Sequence, residues 1–519
     1  MQRVALKEIA SIVKQKFEHE KSIWELAYIL FDGLDAEIPA GESNASTAEF
    51  YSRVRKDRLS KVWEQLCQGS AKTAVAGAPN AEERAVAYLS ANKVVEACDA
   101  LAQGRDFRLA ILVAQLSGDH IMREDIATQI HEWRELNVLS EMSEPIRALY
   151  GLLAGNTCIC EGKKGALEDR ARTFSISDRF NLDWKRAFGL RLWYAILAQE
   201  PIEAAVEKFA EDLTNDESKK PIPWFIEEGA DTPWDDPASS QREDILWGLL
   251  KLYASSKGAS PSSSIADIVM PHNTTGNPLD TRLSFQLYHA LSIRFPQYSD
   301  TAKADYLAGD FAVQLDVAGE WLWAVFAILH LSDREKRQLA LQSLLAHRAA
   351  EIAGPDSQAF RTLTEEFKIP TAWIWEAKAL HARSVQQDHA REVYYLSQAG
   401  NWDEAHDTLV HTVAPKCVIE QDYSTLQGLL DGFARGKEHV NEWGMGGQIY
   451  QDYLALIKGA EGAEKAAVLK RLVHALPAFG REKVGVVMGD EGFKEEVAVR
   501  EMGRCVAEII GGGGVKVSL

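Results

Sequence analysis

Apolar residues recur at three- and four-residue spacing through almost the whole chain, and alternating runs are scarce. Ile9, Ile12, Val13 and Phe17 begin one stripe, and Trp24, Tyr28 and Phe31 extend a second. Met122, Ile126, Ile130 and Trp133 form a third, with Arg123, Glu124 and Asp125 turned away from it. Such spacing gathers the apolar side chains on one helical face, to be buried against a neighbour. Phe107 to Leu116 is apolar nearly all round, which predicts a helix enclosed by others. Trp321 to Phe326 reads the same way, as a helix buried on both sides. The expected class is all-α.

Gly, Pro and Ser clusters at 39–46, 69–80, 255–264, 271–279 and 354–357 predict the main breaks. The stretch 215–241 is acidic and Pro-rich yet holds Trp224, Phe225 and Trp234, so it reads as an ordered excursion pinned by its rings. Short connections predict antiparallel neighbours. One turn type recurs at Gly104-Arg105-Asp106-Phe107, Gly309-Asp310-Phe311 and Gly400-Asn401-Trp402, with a partial case at Gly155-Asn156. Glycine suits the left-handed residue after a helix, Asp or Asn caps the next one, and the aromatic is expected in the groove between them. The spacing of these turns is irregular, so the pattern predicts an irregular stack of helix pairs and not a repeat array.

Composition adds limits. The 519 residues exceed the size at which one core usually stops growing, and 46% hydrophobic with 26% charged residues is ordinary globular make-up. A net charge of −19 argues against direct nucleic-acid binding, and Arg53, Arg55 and Lys56 read as a solvated helix face. The six cysteines are scattered, as reduced thiols are. The first residues carry charge where a signal peptide would be apolar. Trp321–Leu331 is too short to span a bilayer, so no transmembrane segment is expected and the chain reads as soluble and intracellular.

Candidate chemistry thins out on inspection. Gly155 to Lys163 resembles a phosphate loop, but its glycines are wrongly spaced and Lys164 stands where Ser or Thr belongs. Cys158 and Cys160 make half a zinc site, and a plain surface loop explains them. His406 and His411 read as ordinary helix surface, and Gly511–Gly514 as a frayed end. Toroidal glycosidases are Trp-rich, acidic and all-α, and the best carboxylates for that chemistry are Glu320 and Glu376 beside tryptophans. Core packing and helix-start electrostatics account for both. No enzyme, cofactor or metal is expected.

One resemblance covers about 85–435. Val86–Leu116 with the following SGDHIMREDIATQIHEW, then Ile146–Asn156, Leu182–Ile196, Ser284–Leu291, Trp321–Leu331, Ile369–Arg383 and Leu396–Phe433, resemble in order the scaffold nucleoporins called nucleoporin 96 in animals and nucleoporin 145C in fungi. The resemblance implies a folded-back α-helical solenoid of the ancestral coatomer element type, with trunk, crown and tail. By order, 1–70 and 240–355 would form the trunk, 80–215 the crown and 356–519 the tail. It implies a structural role in the Y-shaped complex of the nuclear pore, at the nuclear envelope.

The implied partners are a six-bladed β-propeller shared with the COPII coat, a crown-to-crown nucleoporin (84 in yeast, 107 in animals) and the short-arm nucleoporins at the tail. The propeller partner takes a donated N-terminal blade, whereas this sequence turns helical at about Val4, so no blade residues are assigned. For the crown contact the expected residues are Met122, Ile126, Ile130 and Trp133, with internal core as the competing reading. A COPII-like cage scaffold of the same fold is the alternative function, and a helical-toroid carbohydrate-active enzyme the remote one.

Overall fold

Several helix starts in this chain are set by short polar side chains. Asn80, Asp106, Asp183, Asp244 and Asp422 each accept a backbone N–H from the first turn of the helix that follows. Each such cap satisfies one orphan donor and contributes ~1 kcal/mol. The computed structural model describes residues 18–33, 44–116, 120–166, 168–230, 236–258, 264–479 and 490–512. The stripe Ile9–Phe17, the helical start near Val4 and Trp234 lie outside them.

The α-helices of five or more residues are numbered along the chain. The first set is α1 (Glu18–Phe31), α2 (Asn44–Gly77), α3 (Ala81–Leu89), α4 (Val94–Gln103), α5 (Phe107–Val113), α6 (His120–Glu135), α7 (Glu144–Leu153), α8 (Trp184–Leu190), α9 (Ile202–Thr214), α10 (Ile245–Ser256), α11 (Ile265–Val269) and α12 (Arg282–Ser292). After α13 (Thr301–Val317) come α14 (Trp321–Ile328), α15 (Arg334–Arg348), α16 (Thr371–His381), α17 (His389–Ala399), α18 (Trp402–Thr408), α19 (Ala414–Glu420), α20 (Tyr423–Gly432), α21 (Gly447–Ile457), α22 (Gly462–Phe479) and α23 (Asp490–Gly512). The fold is an all-α irregular solenoid. Its described strands are two, Ile159–Cys160 paired antiparallel with Phe174–Ser175.

Packing divides the chain into Met1–Phe311 and Ala312–Leu519. In the first unit neighbours stack in order from α2 to α5, and again from α9 to α12. The chain also turns back on itself there, since α10 packs on α1 and α8 on α2. Arg282 of α12 pairs with Glu20 of α1 at 2.6 Å, and Arg294 pairs with Asp32. An aromatic spine runs through this core. Trp63 meets Trp184 at 5.8 Å and Phe188 at 4.8 Å, and Phe209 meets Trp247 at 5.1 Å, all edge to face. In the second unit the order is more local: α14 to α18 pack serially, as do α19 to α23, and α19 also packs on α23.

Several expectations need correcting. The α5 helix is covered on one side only, leaving Phe107 63% and Ile111 62% exposed, because Leu109, Ala110 and Val113, with the half-buried Leu112, face the core. Trp323 is likewise exposed, while Trp321, Ala324 and Val325 are buried. At the first predicted turn the left-handed residue is Arg105, not Gly104, although Asp106 caps α5 as expected. Gly309-Asp310-Phe311 lies inside α13 and is no turn. Gly400 is left-handed, with φ +85°, but Asn401 donates to Glu376 Oε1 at 3.1 Å and does not cap. The predicted break at 69–80 narrows to the residues after Gly77, where α2 ends.

Arg55 and Lys56 are not a solvated face. Arg55 donates to the Ile29 and Asp32 carbonyls at the end of α1, and Lys56 donates to those of Leu197 and Glu200. Arg55 thereby satisfies carbonyls that the end of α1 leaves unpaired, and Lys56 ties α2 to the turn before α9. Within 215–241, Phe225 is buried, Trp224 donates to the Thr274 carbonyl at 3.0 Å, and its ring stacks on His19 at 3.9 Å. Those two rings anchor the segment as expected.

Candidate interaction surfaces

The third stripe lies on α6, whose 16 residues include none that is fully buried. Met122 and Ile126 pack against the rim of the first unit's core, and Trp133 meets Tyr150 of α7 edge to face at 4.8 Å. Arg123 ties the helix down by donating to the Ala195 and Ile196 carbonyls at 3.3 and 3.2 Å. Further along, Ile130 and Trp133 wall an open, mostly apolar cleft of about 270 Å³ with Leu139, Met142 and Tyr150. The four predicted residues are therefore half-buried: two face the core rim and two face a cleft. Sequence reasoning missed the apolar residues around them. Val95, Phe107, Ile111, Ile121 and Leu136 are all more than half exposed, on α4, on α5, and on α6 with the residue after it. The signal for part of this was the all-round apolar character of α5.

The cysteines fall into a built structure, not a plain surface loop. Cys160 is a buried strand residue whose thiol burial pushes up to about 11. The Cys158 thiol donates to Glu217 Oε2 at 3.0 Å, and burial raises it far above the ordinary thiol range. Cys158, Asp212 and Glu217 bring their ligand atoms within 4.8 Å of one another, while Cys160 joins a different environment. Asp212 is already taken by Arg191 at 2.7 Å and Glu217 by the Cys158 thiol, so the group is a hydrogen-bonded knot.

The loop 155–163 cradles no phosphate. Lys163 exchanges both backbone hydrogen bonds with Ala171, and a Cβ at Gly162 would meet the Ala171 carbonyl oxygen at 2.1 Å. Glycine is needed there because the opposite backbone approaches so closely.

Comparison with known proteins identifies the chain. The family model described as "Nuclear protein 96" matches residues 83–381. "Nucleoporin NUP145" of Chaetomium thermophilum is 33% identical over 93% of this chain and 23% of its own length. The chain belongs to the Nup96 family. "Nucleoporin nup189" of Schizosaccharomyces pombe is 31% identical over 85% of the chain and 24% of its own length. "Nuclear pore complex protein NUP96" of Arabidopsis thaliana is 26% identical over 69% of the chain and 32% of its own length. The chain thus spans about a quarter of the first two relatives' length. Nup96-family nucleoporins reside in the nuclear pore complex at the nuclear envelope. Among the described residues of this Nup96 member no helix is long and apolar enough to cross a membrane.

His406 of this Nup96-family chain is not ordinary helix surface. It is buried, its Nε2 accepts the Gly447 N–H at 2.9 Å, and it packs on Trp443 and Phe433. Burial, helped by His411, holds its imidazole below the usual range. A depressed folded-state pKa means the unfolded chain binds the proton more readily, so this contribution is complete above about pH 6.5 and fades as pH falls toward the folded value. The urea midpoint of the second unit is expected to drop between pH 7.5 and 5.5, and His406→Gln to flatten that drop. Equal pH dependence in both proteins would refute the assignment. His411 instead pairs with Glu495 at 3.0 Å. Of the carboxylates weighed for glycosidase chemistry, Glu376 is held by Asn401, and Glu320 precedes α14 as its N-cap residue without a side-chain cap bond.

Proposed function

We propose that this nucleoporin is a structural scaffold of the Y-shaped subcomplex of the nuclear pore, which joins its partners through helical surfaces. In this reading 1–70 and 240–355 are the trunk, 80–215 the crown and 356–519 the tail. The trunk adjoins a β-propeller, the crown pairs with the crown of a second nucleoporin, and the tail meets the short-arm nucleoporins. The observation that carries it is the unfinished apolar surface of α4 to α6. In this reading α6, with no fully buried residue, and the exposed Val95, Phe107, Ile111 and Ile121 supply apolar surface for a partner to cover. The pairing of Glu20 with Arg282 supports a trunk made from both ends of the first unit.

Interfaces of this kind draw most of their energy from a few desolvated anchors. Ile111→Glu with Ile121→Glu is expected to weaken crown pairing at least tenfold, about 1.4 kcal/mol or more. Both side chains are mostly exposed, so helicity and melting should stay unchanged. Size-exclusion co-migration with the crown-partner nucleoporin reads the effect. Full co-migration of the folded double variant would sink the crown reading.

A further inference from the structure

The segment between α9 and α10 closes over a carboxyl group. Asp244, only 2% exposed, donates its backbone N–H to the Pro221 carbonyl at 3.0 Å. Its side chain accepts the Leu246 N–H at 2.8 Å. One residue thus caps α10 and seats the segment 219–228 on it. Pro221, Pro223 and Phe225 of that segment are buried, and Trp224 reaches the Thr274 carbonyl.

The charges around Asp244 do not pair off evenly. Three carboxylates act on Lys185 of α8: those of Glu227, Asp244 and Asp183. Glu227 holds Lys185 at 2.7 Å, and Asp183 holds Arg186 at 2.8 Å. Asp244 is left with neither cation. Glu227 and the adjacent Glu243 also act on it, and Glu243 is itself paired with Lys251 at 2.7 Å. A buried carboxylate without an ion-pair partner is destabilising, and either a proton or water relieves it. Burial accordingly pushes the Asp244 carboxyl up to about 7, against the pull of Lys185 and the Leu246 N–H. A second titratable group, His19 of α1, faces the same segment, stacked on Trp224 at 3.9 Å and 3.7 Å from Glu228.

We infer that Asp244 is the proton-operated catch of a latch formed by the segment 219–228. Protonated, it holds the segment closed on α8 and α10; ionised, it favours local opening, which hydrates the carboxylate. In the open form the carboxyl is solvated and ionises near its ordinary value of about 4, so closing takes up a proton between about pH 4 and 7. Closure is therefore strongest in acid, weakens as pH rises through that window and levels off above it. An ion-paired carboxylate does the reverse, since its folded-state value is lowered. In the trunk-and-crown reading this segment is the return from crown to trunk, but the latch does not depend on that reading.

Hydrogen exchange of the whole chain, read by mass spectrometry on peptides covering 222–230 and corrected for the intrinsic rate, measures the opening. Wild-type opening is expected to be about tenfold greater at pH 8 than at pH 6, the change given by a carboxyl that moves from about 7 to about 4. Asp244→Asn can still cap α10 but cannot ionise, so it should lose that difference. His19→Gln should keep it. No difference in the wild-type chain overturns the proposal, and so does an equal difference in Asp244→Asn. Loss in His19→Gln alone also overturns it, by assigning the response to the imidazole. Should Asp244→Asn fail to fold, Glu227→Gln decides: it frees Lys185 to pair with Asp244 and must shrink the difference, and an unchanged difference overturns the proposal.

Discussion

Replacing Arg191 by Met is expected to destabilise the first unit by about 3–5 kcal/mol, the cost of breaking one partner out of a buried ion pair. Arg191 is fully buried at the start of the π-helical turn Arg191–Ala195. Its Nε pairs with Asp212 at 2.7 Å, Nη1 donates to the Ala187 carbonyl at 2.8 Å, and Nη2 donates to Ser218 Oγ at 2.9 Å. The guanidinium also lies 5.6 Å from the centre of the Phe209 ring. One side chain therefore joins α8, α9 and the segment after α9. Methionine fills similar volume but leaves Asp212 without its cation in a poorly hydrated site. Asp212→Leu added to Arg191→Met should recover part of the loss, because replacing both charges removes the unpaired one. Urea unfolding followed by tryptophan fluorescence measures both. A single variant as stable as wild type, with unchanged m-value, would show that the knot contributes nothing.

That knot also marks where sequence reading stops. Helical period and caps were legible because each depends on residues a few positions apart, and the aromatics of 224–225 because large rings stand out in a Pro-rich stretch. The stripe on α6 was legible for the same reason, yet its outcome, half core rim and half cleft wall, depends on α7 and the hairpin strands. Left-handed helix ends at Asn92, Arg105, Gln387 and Gln421 gave no glycine signal, since polar residues held by their neighbours adopt that conformation too. Gly309 illustrates the reverse error: a Gly-Asp-aromatic triplet met the local rule, but the packing of α13 carried the helix through it. Arg191, His406 and Cys160 went unread as structural elements because their partners are 13 to 41 residues away.

Trp63 carries the same dependence across a larger separation, and its removal is the second large effect expected. Its side chain on α2 has no exposure, sits edge-on to Trp184 and Phe188, and donates from Nε1 to the Lys185 carbonyl at 2.8 Å, 122 residues along the chain. Trp63→Ala opens a large cavity in the spine and removes that hydrogen bond, so the unit should lose about 3–5 kcal/mol. Trp63→Phe keeps most of the packing and removes only the donor, for about 1–3 kcal/mol. The two losses separate the ring from its hydrogen bond. Since Trp63 is where α2 meets α8, the loss should appear in one cooperative transition of the whole first unit. Fraying confined to α2, with the fluorescence of Trp184 and Trp247 undisturbed, would mean that the early helices are not part of the core they cover.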